Sequence, residues 1–521
     1  MTTGTALWLI VVFLGAALRL GGLDLLPLSD GEARLALAAL RTAQGGAGGG
    51  EAPLAVAPAA LVFFLAGDSD AAARLFGALM GVVLVALPWF WRRELGQGAM
   101  LLASSLIAVS PTLVHGSRLV SAEQAVPVLA LLAVRAASGV EAERGRRILL
   151  GALAGLLLLA GASGWAAVLL LGTAVVLVLR ARPDRLRRML EACLDPACWL
   201  SALATFWIPG SLLAGSFTPW VGGVPGWVAL WEWPERGETP LAALALPLGY
   251  EPLVLGLSLV AGLMAAGLST APAGTWRRFF GAWALGGSLL WLGTAGTERG
   301  LFSLALVPGL LYLAPRGVEA GQAVVLALRR SLALTLAPSA GSELSLSSPK
   351  GQALSQGERG LAGRWLVSSL PPLAGAGALL VLLAVQTHTL FALNFAADSP
   401  ELWPGSRTDV GARRTLEELA QDLRRPPKGV ARLVEGVGPP VAWYLRQATA
   451  PTSPLPVAAL VGGSAPSGAV AYAKIGIGQR HVWQSDGFDL ALAWRWLVRR
   501  AAPGPRQGLD VPIYLLAEPA S

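Results

Sequence analysis

Charge is scarce in this 521-residue chain: 14% of its residues are Asp, Glu, Lys or Arg, against roughly a quarter in soluble domains. That scarcity excludes a water-soluble protein of this size, whose surface could not be covered with so few charges. Disorder is excluded as well, because 54% of the residues are hydrophobic and a disordered chain combines low hydrophobicity with high net charge. Two cysteines and three histidines leave no disulfide framework, no zinc finger and no histidine-rich metal centre. No internal repeat is present.

What the chain does have is long apolar runs. A spanning helix needs about 20 mostly apolar residues, roughly 17 to 25. Eleven stretches qualify, near 5–23, 72–91, 98–113, 122–138, 148–162, 164–180, 197–215, 243–267, 279–295, 300–315 and 365–388. The first has no basic residue ahead of it, so it reads as an uncleaved anchor and not as a signal peptide.

The basic excess, 40 Lys and Arg against 32 Asp and Glu for a net +8, would suggest nucleic acid in a soluble chain. Its placement argues otherwise. Short cytoplasmic loops are rich in Lys and Arg. The groups at Arg92–Arg93, Arg144–Arg147, Arg180–Arg188, Arg277–Arg278 and Arg316–Arg330 all fall on one side if the N-terminus is cytoplasmic. The charge excess is therefore an orientation signal in a multi-pass cell-membrane protein, N-terminus inside and C-terminal tail outside. Its expected partners are membrane lipids and not nucleic acid. Residues 316–364, Ser- and Gly-rich over 339–363, read as a cytoplasmic loop. Cys193 and Cys198, at the cytoplasmic end of a span, read as reduced structural thiols.

Residues 397–521 change character. Charge rises, Pro and Gly punctuate, and strand-like segments at 430–435, 456–461, 469–475 and 511–516 alternate with helices at 408–425, 440–449 and 488–500, Thr408 being the expected N-cap of the first. The fold class is thus an α-helical polytopic membrane protein of about eleven spans, residues 1–396, followed by a small extracytoplasmic α/β domain.

The first outer loop, 24–71, is too long for a simple connection and predicts two helices near the membrane surface. Asp30 and Glu32 open the first. Ser29 and Glu32 have capping-box spacing, and acids in a first turn favour the helix dipole. Glu32 therefore reads as a cap or as a catalytic acid. A capping box does not require Asp30, which reads as functional. Further along, Trp220, Trp227, Trp231 and Trp233 read as an interfacial belt or as stacking platforms near a site.

An acid pair opening a helix just after the first span resembles the GT-C superfamily of polyprenyl-phosphate-sugar-dependent glycosyltransferases. Within it, the chain resembles a prokaryotic family labelled flippase-activity-associated, related to the protein mannosyltransferases. The resemblance is carried in order by GDSDAAARLFGALMG, SRLVSAEQ, WEWPERGETP with LGYEP, TERGLFSLALVPGLLYLA and PPVAWYLRQ. The family has adjacent Asp-Glu preceded by histidines. This chain has Leu28-Ser29-Asp30-Gly31-Glu32, with Gly31 at the second acid when aligned without a gap and Arg34 where His is frequent.

The resemblance implies a GT-C-type hexosyltransferase that inverts a sugar as it leaves a polyprenyl-phosphate donor for a glycan, lipid or protein acceptor. It puts the catalytic acid at Asp30, with Glu32 as the second candidate. Arg34, Arg118, Arg236 and Arg299, with Glu298 beside the last, are the outer-face groups for substrate and phosphate. Glu251, an acid within an apolar run, reads as functional or as a helix-pairing group. A metal, if one takes part, would be held by carboxylate oxygens and be Mg or Mn. The rival reading is a non-enzymatic glycan-lipid flippase-associated or envelope assembly factor, favoured by the altered acidic motif.

Overall fold

Backbone in or near lipid must satisfy its own N–H and C=O groups, so the long apolar runs of this chain fold as helices. In the computed structural model the described residues are 2–46, 52–141, 143–180, 183–214, 249–254, 275–294, 299–336, 381–396, 408–424, 430–433, 438–448, 457–464, 469–481, 495 and 506–516. The helices are α1 (Thr3–Leu20), α2 (Asp30–Ala43), α3 (Pro53–Ala66), α4 (Asp70–Ala86), α5 (Arg92–Leu95), α6 (Gln97–Val109), α7 (Pro111–Ser117), α8 (Ala125–Ala137), α9 (Arg144–Leu158), α10 (Ala162–Leu179), α11 (Pro183–Cys193) and α12 (Pro196–Ala214). They continue with α13 (Thr275–Gly293), α14 (Arg299–Leu336), α15 (Val381–Phe395), α16 (Val410–Arg424) and α17 (Pro439–Tyr444).

Among the described residues four helices are long and apolar enough to cross a membrane, and a fifth candidate arises if α6 and α7, bent by 62° at Ser110, form one span. The expected runs at 122–138 and 148–162 appear as helices of 13 and 15 residues, α8 and α9. Most of the expected spans 243–267 and 365–388 lies outside the described residues, which keep 249–254 and 381–388. At the bundle edge, α1 turns Ile10 and Phe13 outward and buries Gly15 and Arg19.

Lipid tails are as apolar as leucine, so helix association in the bundle depends on close packing. Gly151 and Gly155 let α9 approach α12: a Cβ at either would come within 2.0 Å of Cys198 O or 2.3 Å of Ala202 O. Gly77 and Gly81 do the same on α4, where added Cβ atoms would meet Leu119 O at 2.8 Å and the Ser117 Cβ at 2.5 Å. Pro111 has no N–H to give the Ile107 carbonyl, and the helix breaks there. The fully buried Arg19 supplies the missing donors, to Ile107 O at 2.8 Å and Ala108 O at 3.1 Å.

The tail contains a four-stranded sheet, β1 (Val430–Leu433), β2 (Val457–Val461), β3 (Ala469–His481) and β4 (Arg506–Leu516), in the order β1-β2-β4-β3. Only β1 and β2 are parallel, and α17 lies in the connection between them. All four expected strands are present, the last two longer than expected. The expected helix at 488–500 lies outside the described residues, apart from Arg495. Both helices expected in the first outer loop are present, as α2 and α3.

That loop and the tail share a hydrophobic core. Ala33, Ala36, Ala39, Val56 and Phe63 of α2 and α3 are buried in one cluster with Leu416, Leu419, Trp443, Val461 and Ile513 of the tail. Phe63 stacks on Trp443 with ring centroids 5.7 Å apart. The tail is therefore seated on the loop, at the same end of the bundle.

Candidate active site

The site begins at the N-terminus of α2. Ser29 is its N-cap in extended conformation, and the capping box with Glu32 is present in both directions. Alanines at every third or fourth position bury one face, and the chain leaves the helix at Gln44 and Gly45, whose φ of +82° suits glycine. Asp30, the first residue of α2, is half-buried, and Arg34, one turn on, is exposed. A Cβ at Gly31 would meet nothing within 4 Å, so the position where the family has its second acid is sterically open.

Glu32 is fully engaged. Its Oε1 accepts Arg74 Nε at 2.8 Å and the Val120 N–H at 3.2 Å, while Oε2 accepts Arg74 Nη2, the Ser29 N–H and the Ser29 hydroxyl, each at 3.0 Å. Burial alone would raise this carboxyl. The Arg74 charge and these hydrogen bonds outweigh it and hold the group below its ordinary value. With five donors on its two oxygens, Glu32 is positioned to hold structure.

Arg74 organises the same segment. Besides its two bonds to Glu32, Nη1 donates to Leu23 O at 2.8 Å and Leu26 O at 2.5 Å, and Nη2 to Pro27 O at 3.1 Å. All five N–H donors of a guanidinium are thus used on residues 23–32. Arg118 treats the preceding turn in the same way. It donates to Leu18 O at 3.2 Å, Gly21 O at 2.5 Å and Gly22 O at 2.6 Å, and lies 4.4 Å over the Phe395 ring. These are carbonyls at the C-terminal end of α1, where a cation is favoured.

The other side of the segment is held by the tail. Tyr444 accepts the Leu28 N–H at 2.8 Å and donates to Asp70 Oδ2 at 2.9 Å. Thr408, expected to cap α16, instead donates to Leu28 O at 2.7 Å, and Asp409 takes the cap role by accepting the Gly411 N–H at 2.6 Å. Arg413 reaches Asp24 O at 2.6 Å and Asp70 at 3.5 Å. Trp443 Nε1 donates to Asp70 Oδ1 at 2.8 Å, and Arg446 pairs with Asp68 at 2.5 Å while covering the Trp443 ring. The GDSD and WYLR motifs are therefore two halves of one clasp. A polar cavity of about 220 Å³ lies beside it, lined among others by Asp68, Asp70, Arg413, Glu417, Arg424 and Arg446.

Arg236, Glu298 and the four loop tryptophans lie outside the described residues, as does the side chain of Arg299, whose backbone opens α14. Glu251 is buried and accepts the Ser110 and Thr112 hydroxyls at 2.5 Å, the Thr112 N–H at 3.1 Å and Gln386 Nε2 at 3.0 Å. It thus sits at the N-terminus of α7 as a helix-pairing group. Among the described residues no three His, Cys, Asp or Glu side chains come together as a metal site. At the α2 N-terminus Glu32 is engaged by Arg74.

Sequence reasoning missed Arg74, Arg19, Asp70 and Tyr444. For the two arginines the available signal was their place in apolar helices, where a charge is costly and pairs with other groups or backbone carbonyls.

No protein-family model and no curated protein matches the chain. Solved structures do. ArnT from Cupriavidus metallidurans in the apo state aligns over 86% of this chain and 86% of its own, with 16% identity and a TM-score of 0.54. The same protein bound to undecaprenyl phosphate aligns over 85% and 84%, with 16% identity and a TM-score of 0.53. The archaeal oligosaccharyltransferase AglB from Archaeoglobus fulgidus, in complex with an inhibitory peptide and a dolichol-phosphate, aligns over 85% of this chain and 63% of its own, with 12% identity and a TM-score of 0.47. The helical bundle with its seated tail shares its fold with ArnT over most of both chains.

Proposed function

We propose that the chain is a membrane glycosyltransferase that moves a sugar from a polyprenyl-phosphate carrier to an acceptor hydroxyl on the extracytoplasmic side. The observation that carries this reading is the pinned segment 21–32. Arg118, Arg74 and the tail together fix the backbone that ends at Asp30. Polyprenyl phosphate as donor is supported by the GT-C-like fold and by ArnT, whose structure holds undecaprenyl phosphate.

Asp30 takes the proton from the acceptor hydroxyl as its oxygen attacks the anomeric carbon. The new C–O bond forms on the face opposite the phosphate, the old C–O bond breaks, and polyprenyl phosphate leaves with the electron pair. Arg34, Arg236 and Arg299 are the cations assigned to the phosphate, and Glu298 is assigned to orient the sugar. Arg118 and Glu32 serve by fixing the backbone.

The test is transfer by the purified full chain, reconstituted with labelled polyprenyl-phosphate sugars and an acceptor pool. A general base contributes about 10²- to 10⁴-fold, so Asp30→Asn is expected to lose at least about a hundredfold. Undiminished transfer by Asp30→Asn would remove the base. No transfer from any donor would favour an assembly factor without enzyme activity.

A further inference from the structure

Leu28 stands two residues before Asp30, fully buried, with both of its backbone groups held by side chains of the tail. Its N–H goes to the Tyr444 hydroxyl at 2.8 Å and its carbonyl accepts the Thr408 hydroxyl at 2.7 Å. Tyr444 is in turn oriented by Asp70 at the start of α4, whose carboxylate also takes the Trp443 indole N–H. Arg413 adds a bond to Asp24 O four residues upstream of Leu28. A helix N-terminus carrying a capping box does not need these contacts to form. They fix where the helix begins relative to the bundle, which is what a base in that first turn requires.

We propose that Tyr444 and Thr408 are positioning residues of the transfer reaction, acting through the Leu28 backbone on the placement of Asp30. The C-terminal domain is then a working part of the active site and not only a binding appendage. This inference rests on the glycosyl-transfer reading above. The chemistry is one of geometry. Reacting groups must lie within about 3–3.5 Å and aligned, and a displacement of about 1 Å can cost on the order of a hundredfold in rate. Tyr444→Phe keeps the ring packing, frees the Leu28 N–H and takes one donor from Asp70. Thr408→Val keeps the shape of residue 408 and frees the Leu28 carbonyl.

Transfer kinetics and amide hydrogen exchange are measured on the full chain for wild type, Tyr444→Phe, Thr408→Val, Asp30→Asn and the Asp30→Asn/Tyr444→Phe double variant. Each tail variant is expected to lower kcat about tenfold to a hundredfold with the donor KM unchanged. Exchange across residues 22–32 should quicken while the rest of the bundle keeps its protection. In the Asp30→Asn background, Tyr444→Phe should cost nothing more, because the group it positions is already gone. A uniform loss of folded protein would move the double variant as well, so this non-additivity separates positioning from general destabilisation.

Wild-type turnover in both tail variants would overturn the proposal, as would a full additional loss in the double variant. If wild type transfers no sugar from any donor, the glycosyl-transfer reading fails by itself. Unchanged exchange at 22–32 in Tyr444→Phe then refutes the positioning contact, and faster exchange supports it.

Discussion

Arg74 grips Glu32 side-on, Nε to Oε1 at 2.8 Å and Nη2 to Oε2 at 3.0 Å, with both side chains buried. The remaining donors of Arg74 hold three carbonyls of the loop that leads into α2. Glu32 and Arg74 are 42 residues apart, so the pair ties the first outer loop to the second long helix. Removing one partner of a buried pair costs about 3–5 kcal/mol, because the other charge is left unmatched. Arg74→Met is expected to lower the thermal midpoint sharply, and Arg74→Lys nearly as much, since an ammonium has three donors and no planar fork. Thermal unfolding of the purified variants checks both.

The same pair sets an acid limit. The Glu32 carboxyl is held below 4.5 in the folded chain. A group lowered on folding contributes fully above its unfolded pKa and loses that contribution as pH falls through the folded value. The stability difference between wild type and Glu32→Gln is therefore constant from neutral pH down to about 4.5 and shrinks below it. Thermal midpoints of the two proteins across that range make the comparison.

An alkaline limit follows from Tyr444. Burial, and then the Asp70 carboxylate beside it, raise its phenol above the ordinary 10. Here the stabilising form is the neutral one, so the contribution is complete below pH 10 and is lost as pH rises through the folded value. Wild type should lose part of its advantage over Tyr444→Phe above pH 10, with faster exchange in the tail. An advantage that stays constant far into alkali would contradict the assigned partners.

Close helix approach gives a steric prediction. A methyl at Gly77 would sit 2.8 Å from Leu119 O and 3.0 Å from Ser117 O, both backbone atoms that cannot swing aside. Gly77→Ala is expected to cost about 1–3 kcal/mol as overpacking, and Gly77→Val more. Gly172, where an added Cβ meets nothing within 4 Å, is the matched control, and Gly172→Ala should be neutral. Yield of monodisperse protein reads out both.

The architecture was largely legible because its causes are local. Apolar length marks helices such as α1 and α10, a short apolar run between Pro456 and Gly462 marks β2, and Ser29-x-x-Glu32 marks the start of α2. The Asp30-Glu32 motif was legible too, with the capping box of Glu32, but the distant groups that hold Glu32 were not. Glu32 becomes a holding group only because Arg74 and Val120 arrive from distant positions, and no periodicity in the chain announces those contacts. Thr408 is the same case. Its hydroxyl suits a cap by local rules, yet the buried Leu28 carbonyl takes it, leaving the cap to Asp409. The GDSD and WYLR motifs were visible as words, whereas their mutual fit is a property of the folded chain.

The shared core of α2, α3 and the tail also sets a schedule. Asp70 and Tyr444 are 374 residues apart, and chains grow at about 5–20 residues per second. The alanine face of α2 and Phe63 of α3 therefore wait on the order of twenty seconds to a minute after synthesis before Trp443 and its neighbours exist to cover them. Through that interval the half-built protein carries an uncovered apolar ledge beside the bilayer. The loop that holds Asp30 takes its final shape only when the last quarter of the chain has been made.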